Sequence, residues 1–322
     1  MKAKWRLPIA ESKAESTLLL VAHRLLGSAM VQNGDFRAGL THLQQAASLF
    51  DPAVHRGHAF QFAQDIGISL FSHLAWALWH SGYPDQAEMR ANQAIALAKE
   101  EPVHAHNLAF AHFYASYMML LSRRIAAAKS LADAVVEIAT KHRMPLWLGW
   151  GLILQGSAMA QQGDGLAAAE LISRGMEAAL GTGAGYLEPF HLGLLAEAFA
   201  TAGEFEKGLA TVSRAITRAN ESGQKGNYAE LHRLQGELLR CLPEPNIMEC
   251  ETSFRSAVAI AHEQGARGYE LRAALSLGRF FYDHGKSDNA RKILAPVYDH
   301  FCEGLDTLDL QETKSLLDAL AE

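Results

Sequence analysis

Leu26-Gly27-Ser28-Ala29-Met30, then Gly34-Asp35-Phe36, then Gly39-Leu40, Leu43, Ala46-Ala47 and Leu49 form the stretch on which the fold is read. A small residue follows a large one, and a glycine comes seven positions later. A second small residue stands five further on and a third seven beyond that. Apolar residues at steps of three and four share one helical face. The glycine between two such runs supplies a backbone that can reverse the chain. The stretch therefore predicts two antiparallel helices joined by a tight turn.

The same pattern recurs along the chain. A second copy carries Ala75, Leu78, Gly82, Ala87 and Ala94. A third carries Ala115, Met118, Ala127 and Ala134, with Ser122 read as standing where the turn glycine belongs. The fourth has Gly156, Met159, Gly163, Ala168 and Gly175, and the fifth Ala196, Phe199, Gly203, Gly208 and Ala215. A looser sixth has Gly236, Leu239, a loop with Pro243 and Pro245, then Phe254 and Ala257. The seventh has Gly278, Phe281, Gly285, Ala290 and Val297. Gly163 and Gly203 lie 40 residues apart, and Gly82 to Gly163 spans 81 residues over two copies. This pattern resembles the tetratricopeptide repeat, with longer helices and linkers than the minimal unit of about 34 residues.

The expected fold is all-α: an α-α superhelix of about seven helix pairs plus a C-terminal capping helix. A small residue midway along the first helix lets its partner approach closely, near the ~8 Å end of interaxial distances. One pair cannot bury its apolar face alone, so neighbours must stack. The expected organisation is a polar N-terminal segment or leading helix over 1–17, the repeat array over 18–307 and a cap over 308–322. In the cap, Leu310, Leu316, Leu317 and Leu320 form the expected buried side.

Composition agrees with helix and narrows the function. The chain has 322 residues, 49% hydrophobic and 20% charged, with nine prolines and a net charge of −6. That balance offers no basic footprint for nucleic acid. Three cysteines, Cys241, Cys250 and Cys302, fit reduced thiols in a cytoplasm, the compartment expected here. A redox pair of Cys241 and Cys250 stays open as an alternative if the segment between them loops. Lys2, Lys4 and Arg6 resemble the start of a signal peptide, but Pro8, Glu11, Lys13 and Glu15 occupy the place of its apolar stretch. The longest apolar run, Leu146 to Leu154, covers about half a membrane span. No membrane association is expected.

Several longer strings carry a more specific resemblance. They are His55-Arg56, Phe60, Gln64-Asp65, Gly67, Ala77-Leu78-Trp79 and Gly82-Tyr83-Pro84-Asp85-Gln86-Ala87. Pro145-Leu146-Trp147, Leu195-Ala196-Glu197-Ala198, Ala229-Glu230-Leu231-His232-Arg233-Leu234 and Gly236-Glu237-Leu238-Leu239 follow. Glu270-Leu271-Arg272-Ala273-Ala274, Ser276-Leu277, Ala295-Pro296-Val297-Tyr298 and Asp309-Leu310 complete the set. Together, from about residue 20 onward, they resemble the C-terminal repeat region of bacterial signalling proteins. In those proteins a class III adenylate/guanylate cyclase domain or a DNA-binding domain precedes an AAA-like ATPase and then the repeats. The resemblance implies a sensor-like region in signal transduction. It transfers no catalytic residue, because no position here belongs to the cyclase or ATPase motifs.

Motifs with chemical meaning occur only as isolated fragments. Gly285-Lys286-Ser287 hints at a phosphate loop, but Phe280 stands where that loop needs a glycine and a helix leads in where a strand should. Gly181, Gly183 and Gly185 lack the strand–turn–helix context of a dinucleotide site and read as a linker. His55 with His58, and His104 with His106 and His112, lack the accompanying ligands of a metal centre. Neither a catalytic site, a cofactor nor a metal is expected, and the chain is not expected to be an enzyme.

The expected functional surface is the concave side, lined by the first helix of each repeat. On this register it presents Trp76, Trp79, His80, His112, Met119, Trp150 and Phe190, then Glu230, Arg233, Glu237, Arg272, Arg279 and Tyr282. Such an aromatic section followed by a charged one suits a protein or peptide partner, with apolar anchors and fixed polar groups. A small-molecule ligand that resets the superhelix is the alternative. In the competing reading the tryptophans are simply core and the charges pair along helices.

Overall fold

The computed structural model describes residues 16–55, 65–100 and 103–321. Most of the expected N-terminal segment, together with Arg56, His58, Phe60 and Gln64, lies outside the described residues. Among the described residues there are sixteen helices and no strand.

Helices α1 (Ser16–Gln32) and α2 (Phe36–Leu49) form the first pair, followed by the one-turn α3 (Pro52–His55). Next come α4 (Ile66–His80) with α5 (Pro84–Lys99), α6 (Ala105–Leu121) with α7 (Ile125–Lys141), and α8 (Pro145–Gln161) with α9 (Gly165–Leu180). The remaining pairs are α10 (Glu188–Thr201) with α11 (Phe205–Ser222), α12 (Tyr228–Arg240) with α13 (Ile247–Gln264), and α14 (Arg267–Asp283) with α15 (Ser287–Tyr298). Helix α16 (Leu308–Ala319) closes the array. Seven pairs and a cap are the architecture the repeat pattern predicts.

Small residues set the pair spacing. A Cβ on Gly27 would lie 2.6 Å from Leu43 and 2.9 Å from the Gly39 carbonyl. Gly149 and Gly175 bring α8 and α9 equally close, each facing the other's carbonyl oxygen. Within the pairs, Gly34, Gly82, Gly163, Gly203 and Gly285 all take a positive φ at the turn.

The third pair corrects the sequence reading. The left-handed turn residue is Arg123 (φ 55°), not Ser122. Counting from Arg123 moves every slot one position on. The small residue becomes Ser116, whose hydroxyl donates to the Ala128 carbonyl at 2.8 Å. The later slots become the fully buried Ala128 and Val135, while Ala127 is exposed. The large residue is then Met119, equivalent to Leu78 and Phe281, which is why it packs inside the array.

Successive turns of the superhelix touch. Asn33 and Gly34 at the first turn lie near the loops at 225–226 and 264–265: Gly226 N–H donates to the Gln32 carbonyl at 2.8 Å. The second turn meets the connection before the cap. Glu303 accepts the backbone N–H groups of Asp85 and Gln86 at 3.0 and 3.1 Å, and Asp85 accepts from Gly304 N–H at 3.0 Å. Helix α5 has no capping side chain of its own, so a carboxylate more than two hundred residues away satisfies its free N–H groups and its dipole. Arg123 and Arg124 of the third turn pair with Asp309, Glu312 and Asp306.

Candidate functional site

Closure divides the inner face into two parts. Towards the N-terminal repeats it is filled with rings. Trp76 lies 5.3 Å from Tyr117, Tyr117 lies 4.1 Å from Phe190, and Phe113 stacks on Trp150 at 5.0 Å. Gln32 donates to the Tyr186 hydroxyl, which also bonds the Tyr114 hydroxyl at 2.9 Å. Burial in this ring layer pushes the Tyr186 phenol up to about 12.

His80 is fully buried here, stacked on Phe36 at 4.2 Å and 4.8 Å from Tyr269. Neither of its ring nitrogens has a partner among the described residues. Desolvation, then the Arg272 charge, holds its pKa well below the ordinary value, so the ring is neutral. Trp76, Trp79, His80, His112, Met119 and Trp150 are all buried. The open aromatic groove expected for them is therefore closed. Trp79 and His80 are covered because α14 returns against α4, with Tyr269 5.5 Å from Trp79, and Trp150 is covered by Phe113 and Tyr186.

Towards the C-terminal repeats the inner face stays hollow. A cavity of about 530 Å3 is bounded by α6, α8, α10, α12, α14 and the start of α16. Phe190, Leu194, Leu231 and Leu234 supply apolar wall; Arg123, Glu197, Glu230, Arg233, Arg272 and Asp309 supply charge. Phe190, Leu194, Glu197 and Thr201 fall on one face of α10 by their three- and four-residue spacing.

Most of these charges are tied to one another. Arg233 grips Glu230 through two nitrogens at 2.9 and 2.7 Å. Ser276 donates to Glu237 at 2.7 Å beside it, and Glu237 lies 3.7 Å from Arg233. Arg272 donates to Asp309 at 2.8 Å and to the Leu121 carbonyl, and its guanidinium lies 5.2 Å from the Trp79 ring. Desolvation pushes the Glu230 carboxyl up, but Arg233 and Arg272 outweigh it and hold the group below the usual carboxylate range. Asp309 is held low against its own desolvation by Arg272 and Arg123.

Glu197 differs from its neighbours. Its carboxylate makes no hydrogen bond or ion pair among the described residues, and desolvation followed by repulsion from Glu230 raises its pKa. Sequence reading did not single it out, because its isolation depends on where three arginines from other repeats spend their donors.

Of the expected site residues, Phe190, Glu230, Arg233 and Arg272 line the cavity, and Glu237 supports it. Arg279 is about half exposed and pairs with Glu312 at 3.0 Å, and Tyr282 is 45% exposed; both lie outside the lining. Gly285 is the turn between α14 and α15, and the stretch from Gly181 to Gly185 links α9 to α10. Cys241 and Cys250 are separate free thiols, one exposed and one buried. Among the described residues no helix is long and apolar enough to cross a membrane.

No protein-family model matches the chain. An uncharacterized protein of Rhizobium meliloti (strain 1021) is 27% identical over 205 residues, covering 63% of this chain and 20% of that protein. The chain thus spans about a fifth of that relative's length. Among solved structures, a Rap protein complexed with competence and sporulation factor superposes with a TM-score of 0.62 at 13% identity, over 94% of this chain and 80% of that one. The apo form of RapI gives 0.57 at 11% identity, over 93% and 99%. Aspartyl phosphate phosphatase F from Bacillus subtilis gives 0.56 at 13%, over 91% and 73%. At these identities the likeness is one of fold.

Proposed function

We propose that the chain is a non-catalytic interaction module that holds a protein or peptide partner on its inner face, at the C-terminal half of the array. The observation that carries this reading is the cavity bounded by Phe190, Glu230, Arg233 and Arg272. It joins apolar wall to polar groups fixed by mutual pairing, which is how a recognition surface gains orientation without reorganising. Its lining has neither histidine nor cysteine, and its guanidiniums are spent on neighbouring carboxylates, which supports binding over turnover. The complexed Rap neighbour has the same general fold with a factor bound. The sequence resemblance supports reading the module as a sensor-like region of bacterial signalling, beside a cyclase, ATPase or transcription effector. The much greater length of the Rhizobium meliloti relative is compatible with that setting.

Co-purification and peptide display against the intact chain test the reading. A genuine partner loses affinity on Arg233→Ala and keeps it on Tyr282→Ala. Binding indifferent to every cavity substitution would refute the site.

The cavity volume favours one second reading, a small-molecule sensor, since ligand pockets run from roughly 300 to 1,000 Å3. A thermal-shift screen of metabolites and nucleotides tests it. Absence of stabilisation by all of them counts against it.

A further inference from the structure

We propose that Glu197 receives a basic side chain, lysine or arginine, projecting into the cavity from a bound peptide. The inference rests on the peptide-binding reading above and gives its partner a chemistry.

Glu197 sits on the cavity wall between Leu194 and Thr201 on α10, with Leu231 and Leu234 facing it from α12. Three arginines are close enough to act on it electrostatically, namely Arg233, Arg272 and Arg123. None bonds it. Arg233 spends Nε and Nη2 on Glu230, and Arg272 spends Nε on Asp309 and Nη2 on the Leu121 carbonyl. Arg123 donates instead to Asp309 and Glu312. Each of those donors already has a fixed acceptor, so the cavity has one carboxylate whose acceptor capacity is unused.

A partly buried carboxylate without donors is costly, and the group that relieves the cost must bring N–H donors, best with a positive charge. The lining carries three carboxylates, Glu197, Glu230 and Asp309, and three guanidiniums, Arg123, Arg233 and Arg272. Arg233 is bonded to Glu230, and Arg272 and Arg123 to Asp309, so Glu197 is the carboxylate left without a cation. The apolar walls add a second requirement, because a bare cation would leave Leu194, Leu231 and Leu234 wet. Lysine and arginine meet both requirements, with a methylene stem to lie along the leucines and a cationic head for Glu197.

A positional-scanning hexapeptide library tests this, with each mixture fixed at one residue and titrated against the intact chain by thermal shift. Mixtures fixed at lysine or arginine should act at concentrations at least tenfold below those fixed at glutamine or norleucine. Glu197→Gln should erase that preference, and Glu197→Asp should keep it. Because the wild-type preference is itself a readout, a misfolded variant does not remove the test. Peptide binding without a basic preference, or with one that survives Glu197→Gln, overturns this inference and leaves the peptide-binding reading standing. Failure of every mixture overturns both. Stabilisation by free agmatine or spermidine alone, dependent on Glu197, would replace the peptide by a small organic cation and overturn the source proposed here.

Discussion

The guanidinium of Arg272 lies over the Trp79 ring, 5.2 Å from its centroid, while its Nε donates to Asp309 at 2.8 Å. One side chain thus joins the second repeat, the seventh and the capping helix. Only 14% of it is exposed, so its contacts act in a poorly solvated setting where ion pairs are costly to break.

Arg272→Ala should therefore destabilise the fold by about 3 kcal/mol, the lower end for breaking a buried pair. Asp309 would lose a charged partner, and Trp79 its cation. The Glu303→Ala change removes the long-range cap of α5 and should cost about 1 kcal/mol. Chemical denaturation measures both. Hydrogen exchange should quicken at the start of α5 in the second variant and at α16 in the first. Equal protection in wild type and variants would mean that these contacts do not hold successive turns of the superhelix together.

Gly236 tests the pair spacing. A Cβ there would lie 2.6–3.0 Å from the Phe254 ring, and Ala196 is fully buried beneath the α10–α11 crossing. Gly236→Leu and Ala196→Leu should each overpack a pair and cost about 1–3 kcal/mol. Unchanged melting temperatures for both would contradict the register.

Acid should weaken the fold through its histidines. Desolvation lowers His73 to about 4 and His191 to about 3. His73 packs against Tyr114 and Phe110, with Arg24 adding to the depression, and His191 lies among Trp150 and Phe190. A depressed folded value means that the unfolded chain binds protons first. Stability is then full above the unfolded value near 6.5 and falls as the pH drops towards the folded values. Each such histidine contributes a slope of up to about 1.4 kcal/mol per pH unit. Urea titrations at pH 7 and pH 5 should differ accordingly, and His191→Phe should shallow the dependence. A flat profile across that interval would exclude buried neutral imidazoles.

Two arginines separate turn strain from closure. Arg143 and Arg123 both hold a left-handed backbone, at φ 54° and 55°. Arg143 is exposed, so Arg143→Gly should stabilise by about 0.5–1 kcal/mol through relief of that strain. Arg123→Gly gains the same relief but gives up the contacts to Asp309 and Glu312 at 3.3 and 3.1 Å. It should come out less favourable than Arg143→Gly. Identical effects in thermal melts would mean that Arg123 contributes nothing to closure.

The alternation of small and large residues was enough to determine paired helices, their number and most of their turns. Packing distance within a pair is a local property, written in residues about a dozen positions apart such as Gly27 and Gly39. It misled only where an arginine took a glycine's conformation, at Arg123, since nothing in the side chain announces a left-handed backbone. Tertiary structure decided the rest. Curvature accumulates from small rotations at each interface, so no single repeat encodes that α14 meets α4, that Trp79 and His80 are covered, or that Glu197 is left without a donor while its neighbours are paired.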